Sequence, residues 1–300
     1  MEPDRGILAA LSGHDAADAL RDLDARGALT EAIPELEAAR GFEQPALHHY
    51  DVLGHSIATV AAFDEATGAG SRGQYLRETT DWFDLGASLA TSVDGVPLMT
   101  LLRLACLVHD VAKPATATMM DGRLRFPRHG QEGERMMRAR LPELGLGPDA
   151  TDLVARLIRE HLRPAELVRN HPATDRAFRK LSADAGGHVA GLMLLHLSDG
   201  WGTRGPGYTW EQFERHCTFL NYVVARAWLV TRPGPAPLVN GEDLMREPGM
   251  DSGRLLGAVL TSIHRAQLAG DITSRDEALA MARDAMHHLA GTGSTAATKE

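Results

Sequence analysis

Six side chains on five separate segments have the types and settings of metal ligands. In LLRLACLVHDVAKP (101–114), His109 and Asp110 follow a run of Leu101, Leu102, Leu104, Ala105, Leu107 and Val108 that is apolar nearly all round. A helix of that kind is buried, and Pro114 prevents it from continuing in regular form. The pair therefore sits near the buried C-terminal end of a central helix, where an unpaired carboxylate is costly. A metal ion would offset that cost; for the dipeptide taken alone, protein hydrogen bonds would serve equally well. His55 in DVLGHSIATV, His129 in FPRHGQEG, His161 in LIREHLRP and Asp199 in GLMLLHLSDGW lie at similar edges of apolar elements. Four imidazoles and two carboxylates suit one or two divalent ions of the Mn, Fe, Co, Ni or Zn type, with Mg a further candidate. Neighbours on a helix diverge by about 100°, so Asp110 can bridge two ions while His109 binds one. That arrangement requires His129 and His161 to lie within about 8 Å of Asp110.

The elements that would carry these residues read as helices. Helical spacing of apolar residues recurs at 16–29, 54–67, 96–112, 150–162, 173–185, 189–201, 210–230 and 274–290. Asp175 and Ser274 stand where helix starts need a cap. TATMMDGRLRF (116–126) breaks the pattern: alternating residues flank Asp121-Gly122, the two-residue turn of a hairpin. TRPGPAPLVNGEDL (231–244) reads as a linker to a small helical tail. The expectation is an all-α protein with one small β-hairpin near 116–126, divided into an N-terminal helical segment (1–46), a central domain (47–230) and a C-terminal linker and helical extension (231–300).

Bulk properties narrow the class. The chain has 300 residues, 44% hydrophobic and 24% charged, as expected of a globular protein with a sizeable core. A net charge of −9 argues against a general polyanion binder. Between Arg123 and Lys180, however, 13 Lys/Arg face 8 Asp/Glu, a local excess of five positive charges. Cys106 and Cys217 are too few for a disulfide framework or a cysteine zinc cluster. The first residues, MEPDRGILAA, show neither the basic segment nor the apolar core of a signal peptide, and no apolar run is long enough to span a membrane. The expected location is the cytoplasm.

The order H…HD…H…H…D, together with HDxxKP at 109–114 and DGxxRFxxH at 121–129, resembles the HD superfamily of metal-dependent phosphohydrolases. The chain is most similar to the HD region of bacterial CCA-adding tRNA nucleotidyltransferases and their poly(A) polymerase relatives, over blocks 33–56, 105–118, 121–133, 157–164, 175–181 and 237–245. The resemblance implies an HD-type helical bundle. About 50 residues precede the HD block, too few for a nucleotidyltransferase domain, and SVDGVP (92–97) and GSRGQY (70–75) imitate its motif poorly. Nucleotide addition is therefore not expected.

The resemblance implies a metal-dependent phosphodiesterase or phosphatase acting on a nucleotide or RNA 3′-end phosphoester, with tRNA a candidate partner. A metal-bound water would attack phosphorus, with Asp110 and Lys113 as its catalytic residues. Lys113, one turn after Asp110, would neutralise a phosphate oxygen; Arg163 would clamp phosphate; Arg176, with Arg179 and Lys180, would track a backbone or form a solvated face. In HHYDVLGHS (48–56), His48 shares a face with His55 if the helix begins that early, and would contact substrate. Asp51 would orient a histidine or cap the helix. His196, one turn before Asp199, is expected to be packed. Trp201, Tyr208 and Trp210 would line a base pocket or pack in the core. The alternatives are a diiron HD-type oxygenase, which the same ligands would serve, and a non-catalytic RNA-binding module.

Overall fold

The computed structural model describes residues 5–80, 84–169, 173–232, 236–247 and 254–293. It divides into two compact units, residues 1–231 and 232–300. Seventeen α-helices and two small antiparallel hairpins make up the regular structure among the described residues.

The first unit opens with α1 (Arg5–Ser12), α2 (Ala16–Ala25), α3 (Ala28–Ala32) and a 3₁₀ turn at Pro34–Ala39. Next come α4 (Val52–Thr67), α5 (Ser71–Thr79), α6 (Leu85–Leu89), the β1–β2 hairpin (Ser92–Val93 and Val96–Pro97) and α7 (Leu98–Val108). After α8 (Lys113–Thr116), the β3–β4 hairpin (Thr118–Met120 and Arg123–Arg125) leads into α9 (His129–Arg140), α10 (Pro148–Glu160), α11 (Arg163–Arg169), α12 (Asp175–Asp184), α13 (Val189–Arg204) and α14 (Trp210–Thr231).

Helix α7 is the axis of this unit. Every residue from Leu98 to Val108 except the half-buried Met99 is buried, and the helix packs against α4, α10, α13 and α1. Removing so many aliphatic side chains from water is the main stabilising term here. Buried Arg103 interrupts the apolar surface: its Nε donates to Asp64 Oδ1 on α4 at 2.6 Å and its Nη1 to the Leu11 carbonyl on α1 at 2.8 Å. Arg103→Ala would leave Asp64 without its cation, and burial already pushes that carboxyl above its ordinary range. The expected loss is about 3 kcal/mol in urea unfolding; a change below about 1 kcal/mol would mean that the pair adds only what surface pairs add.

The β3–β4 hairpin has the predicted turn. Asp121 (φ 50°) and Gly122 (φ 68°) are both left-handed, as a type I′ turn requires, and Met120 pairs with Arg123. SVDGVP, read in the sequence as a poor transferase motif, is a second hairpin of the same type, with Asp94 at φ 51°. Its strands of two residues are too short to show alternation. The Asp94 Oδ2 atom accepts from the Ala150 amide at 2.9 Å, which anchors the hairpin to the first turn of α10.

Two helix starts differ from the sequence reading. Thr174, not Asp175, caps α12, its hydroxyl accepting from the Ala177 amide; Asp175 lies in the first turn. Helix α4 begins at Val52, so His48 lies on the preceding loop rather than on the helix. Asp51 is the cap that fixes this start: Oδ1 accepts from the Gly54 amide and Oδ2 from the Gly41 amide, each at 2.6 Å. Of its two sequence readings, capping is the one with contacts. Ser274 also caps as expected, accepting from the Glu277 amide at 3.3 Å.

The second unit contains α15 (Gly241–Met245), α16 (Arg254–Ala269) and α17 (Arg275–Gly293) around a small core of Val239, Leu244, Val259, Ile263, Ala278 and Ala282. Asn240 and Asp243 form a reciprocal capping box at α15.

Candidate metal centre

Five elements deliver the six candidate ligands to one place. His55 comes from the first turn of α4, His109 and Asp110 from the end of α7, His129 from the first turn of α9, His161 from the end of α10, and Asp199 from α13. All but Asp199 are buried. His55 Nε2 lies 3.2 Å from His109 Nε2, 3.3 Å from Asp110 Oδ2 and 3.2 Å from Asp199 Oδ1. On the other side of Asp110, Oδ1 lies 3.3 Å from His129 Nε2 and 3.6 Å from His161 Nε2, and these two nitrogens are 3.1 Å apart. The cluster has two halves that share one carboxylate: His55, His109, Asp110 and Asp199; then Asp110, His129 and His161. His129 and His161 thus lie well inside the limit set by the sequence reading.

The orientation of the rings decides what the cluster can do. His109, His129 and His161 each direct Nδ1 at the carbonyl three residues back, Cys106 at 2.9 Å, Phe126 at 2.7 Å and Ile158 at 2.6 Å. A carbonyl only accepts, so each Nδ1 carries a proton, and Nε2 presents a lone pair wherever the ring is neutral. Lone pairs from His129 and His161 therefore face each other at hydrogen-bond distance. Asp110 Oδ1, fully buried, has no hydrogen-bond donor. Converging acceptors that leave the buried Asp110 Oδ1 without a donor call for a cation, and nitrogen and carboxylate donors fit a divalent transition metal.

Without a metal the charges are uneven. Asp110 and Asp199 resist burial and are held well below the ordinary carboxylate range by their histidine neighbours, and Asp110 also by Lys113. Burial opposes protonation of His109, but the two carboxylates outweigh it and lift the imidazole to about 10. His161 is pushed down to about 3, by burial and by the His109 cation. One histidine thus takes the proton that a metal would displace.

Lys113 is buried, with Nζ 2.5 Å from Asp110 Oδ2 and 2.6 Å from Gln44 Oε1. It belongs to the cluster rather than to surface carboxylates. Gln44, which also donates to the Tyr50 carbonyl, carried no signal in the sequence: its partner is 69 residues away. His48 still borders the cluster, its ring centroid 5.7 Å from that of His55, but from the loop. The His49 amide donates to the Thr203 carbonyl and ties the same loop to α13. Arg163 opens α11 and lines an adjoining groove. Arg176 is exposed on α12 and makes none of the cluster's contacts; Arg179 donates to the Val230 carbonyl and Lys180 pairs with Asp184.

Of the remaining aromatic candidates, Trp201 stacks on buried Tyr208 at 5.1 Å with Arg72 over its ring, while Trp210 is 40% exposed. His196 is packed against His216 and Phe219. Trp201 and Tyr208 thus read as packing rather than as an open base pocket.

Residues 84–183 match the family model described as HD domain. His109, Asp110, His129 and His161 fall inside the matched span; His55 and Asp199 are joined to it by the geometry above. Two relatives cover most of the chain. It is 29% identical over 277 residues to the A-adding tRNA nucleotidyltransferase of Deinococcus radiodurans, covering 91% of this chain and 56% of that protein. It is 27% identical over 268 residues to the CC-adding tRNA nucleotidyltransferase of Thermus thermophilus, covering 88% and 52%. A third similarity, 26% over 207 residues, is to the bifunctional uridylyltransferase/uridylyl-removing enzyme of Nitrobacter winogradskyi, covering 69% of this chain and 20% of that one. The chain spans about half the length of the two tRNA nucleotidyltransferases. Among the described residues, no helix is long and apolar enough to cross a membrane.

Helices α4 and α13, which hold His55 and Asp199, approach closely at Gly202. A Cβ there would lie 2.6 Å from Thr59 Oγ1 and 3.1 Å from the Thr59 amide nitrogen of α4. Gly202→Val must push α13 away from α4, and Asp199 with it. The expected cost is about 2 kcal/mol in stability, with a measurable drop in metal retained after gel filtration. Wild-type metal retention in a folded Gly202→Val protein would show that the close approach does not hold the site.

Proposed function

We propose that this HD domain is a metal-dependent phosphohydrolase, acting as a phosphodiesterase or phosphatase on a nucleotide or RNA-end phosphoester. The observation that carries the reading is the convergence of histidine Nε2 lone pairs on the two oxygens of Asp110, one of which has no donor. His55, His109, Asp110 and Asp199 would hold one divalent ion, and Asp110, His129 and His161 a second. Bound there, such ions supply Lewis-acid polarisation of a phosphoryl oxygen and a water acidic enough to attack at neutral pH.

The chain's own contributions follow from its contacts. The carbonyls of Cys106, Phe126 and Ile158 fix the tautomers of three ligands, so no ring reorganises on metal binding. Lys113 holds Asp110 Oδ2 from one side while Gln44 holds Lys113. The third N–H of Lys113 would donate to a phosphate oxygen as negative charge builds there. His48, at the edge of the cluster, would meet the substrate. The relatives support the substrate class: two are named for adding nucleotides to tRNA, and the third for both adding and removing a uridylyl group.

The test is elemental analysis of protein purified without chelator, followed by a panel of phosphoesters with Mn, Fe, Co, Ni, Zn and Mg. Metal-dependent cleavage of a nucleotide or RNA-end phosphoester is expected. Two bound irons with dioxygen consumption and intact phosphoesters would replace this reading with the oxygenase. Full RNA affinity after Asp110→Ala, with no hydrolysis at any metal loading, would replace it with a binding module.

A further inference from the structure

A groove of about 600 Å³ runs between α9, α10 and α12, bordered by the residues next to His129 and His161. Six Lys/Arg and four Asp/Glu line it, in a chain whose net charge is −9. Most of these cations are already paired. Glu134 binds Arg138 and Arg159, Asp152 binds Arg156, and Asp184 binds Lys180. Arg128 and Arg163 form no ion pair and no side-chain hydrogen bond among the described residues.

Arg128 is also a poor residue for its position on purely structural grounds. It stands at the N-cap of α9 with φ 58° and ψ 23°, and its side chain cannot cap the helix. Asn or Gly would suit both the left-handed backbone and the cap. A side chain longer than aspartate or asparagine costs about 1 kcal/mol there. An exposed Arg that strains the backbone, caps nothing and forms no ion pair or side-chain hydrogen bond among the described residues has its use outside the protein.

We infer that this groove binds a second phosphate group of the substrate, held by Arg128 and Arg163, beside the phosphate at the His–Asp cluster. The inference rests on the phosphoester reading and narrows it to substrates that carry at least two phosphates. Arg128 immediately precedes His129, and Arg163 follows His161 by two residues, so both groove-lining arginines are attached beside ligands of the half of the cluster formed by Asp110, His129 and His161. Guanidinium groups hold phosphate through paired N–H donors. The second phosphate would be the next group of a nucleotide polyphosphate or the next linkage of a strand.

The experiment titrates the metal-loaded full chain with inorganic pyrophosphate by calorimetry. Arg128→Asn removes the charge and supplies a better cap, so its unfolding midpoint should be no lower than that of the wild type and its metal content unchanged. Its pyrophosphate affinity should fall at least tenfold. Equal affinity in Arg128→Asn, or no binding to the wild type, overturns the proposal. Competition then distinguishes the sources: displacement of pyrophosphate by a nucleoside diphosphate assigns the second phosphate to a nucleotide, and displacement by a short single-stranded RNA assigns it to a strand. Displacement by neither overturns the proposal. Pyrophosphate binding that depends on Arg128, in a protein that hydrolyses nothing, would remove the phosphohydrolase and leave the anion site; hydrolysis with an indifferent Arg128→Asn would do the reverse.

Discussion

Asp110→Asn is expected to reduce metal-dependent hydrolysis by at least about a thousandfold, equivalent to about 4 kcal/mol of transition-state stabilisation. The substitution keeps the size of the side chain and removes the negative charge that both halves of the cluster share. Oδ2 faces His55, His109 and Lys113, whereas Oδ1 faces His129 and His161. An amide presents one oxygen and one NH₂, so it can serve one side only, and its N–H donors meet ligand nitrogens or Lys113 on the other. Both metal equivalents should be lost or weakened together. The change also leaves the buried Lys113 ammonium without its carboxylate, at a cost of about 3 kcal/mol. Circular dichroism and a denaturation curve alongside the assay separate that cost from lost chemistry. Retained activity in a folded Asp110→Asn protein would remove Asp110 from the reaction.

The second large effect concerns His161. Removing its ring strips one of two nitrogens from the half that contains Asp110 and His129, while His55, His109, Asp110 and Asp199 keep their contacts. His161→Ala is therefore expected to lower the bound metal from about two equivalents to about one, and to reduce turnover about a hundredfold, because both ions act on the same phosphoryl group in a two-metal site. His55→Ala should empty the other half first. Simultaneous loss of all metal in both variants would instead indicate a single ion held by the whole set. The cavity left by the ring is lined by other ligand side chains, so the stability change should stay near 1–2 kcal/mol.

The cluster was legible in the sequence wherever a polar residue interrupted an apolar element. His109, Asp110 and His161 each end a buried helix shortly before a proline, and Asp199 sits in an otherwise aliphatic stretch, so their cost of burial was visible without a structure. The β3–β4 hairpin was visible because Asp121-Gly122 is flanked by alternating residues, whereas the β1–β2 hairpin, with the same Asp-Gly turn, has strands too short for alternation to show. The apolar spacing over 54–67 places α4 within two residues of its start at Val52, where Asp51 is the cap; the earlier start that would carry His48 onto the helix is not found.

Gln44, Gly202 and Arg128 share a different reason for being hidden. Gln44 meets Lys113 across 69 residues, Gly202 matters because Thr59 lies against it, and the backbone angle of Arg128 is set by the junction between the β3–β4 hairpin and α9. None of these leaves a periodic or compositional trace. Gln44 and Gly202 are also residues that convert a set of ligands into a held geometry.

Diffraction measured at the absorption edge of the metal found in the purified protein tests the central claim most directly. Two anomalous peaks are expected roughly 3.5–4 Å apart, as in two-metal sites, one on each side of the Asp110 carboxylate. One peak would be bounded by His55, His109 and Asp199, the other by His129 and His161. A metal-replete crystal with no peak at Asp110, or with its peaks elsewhere in the molecule, would contradict it.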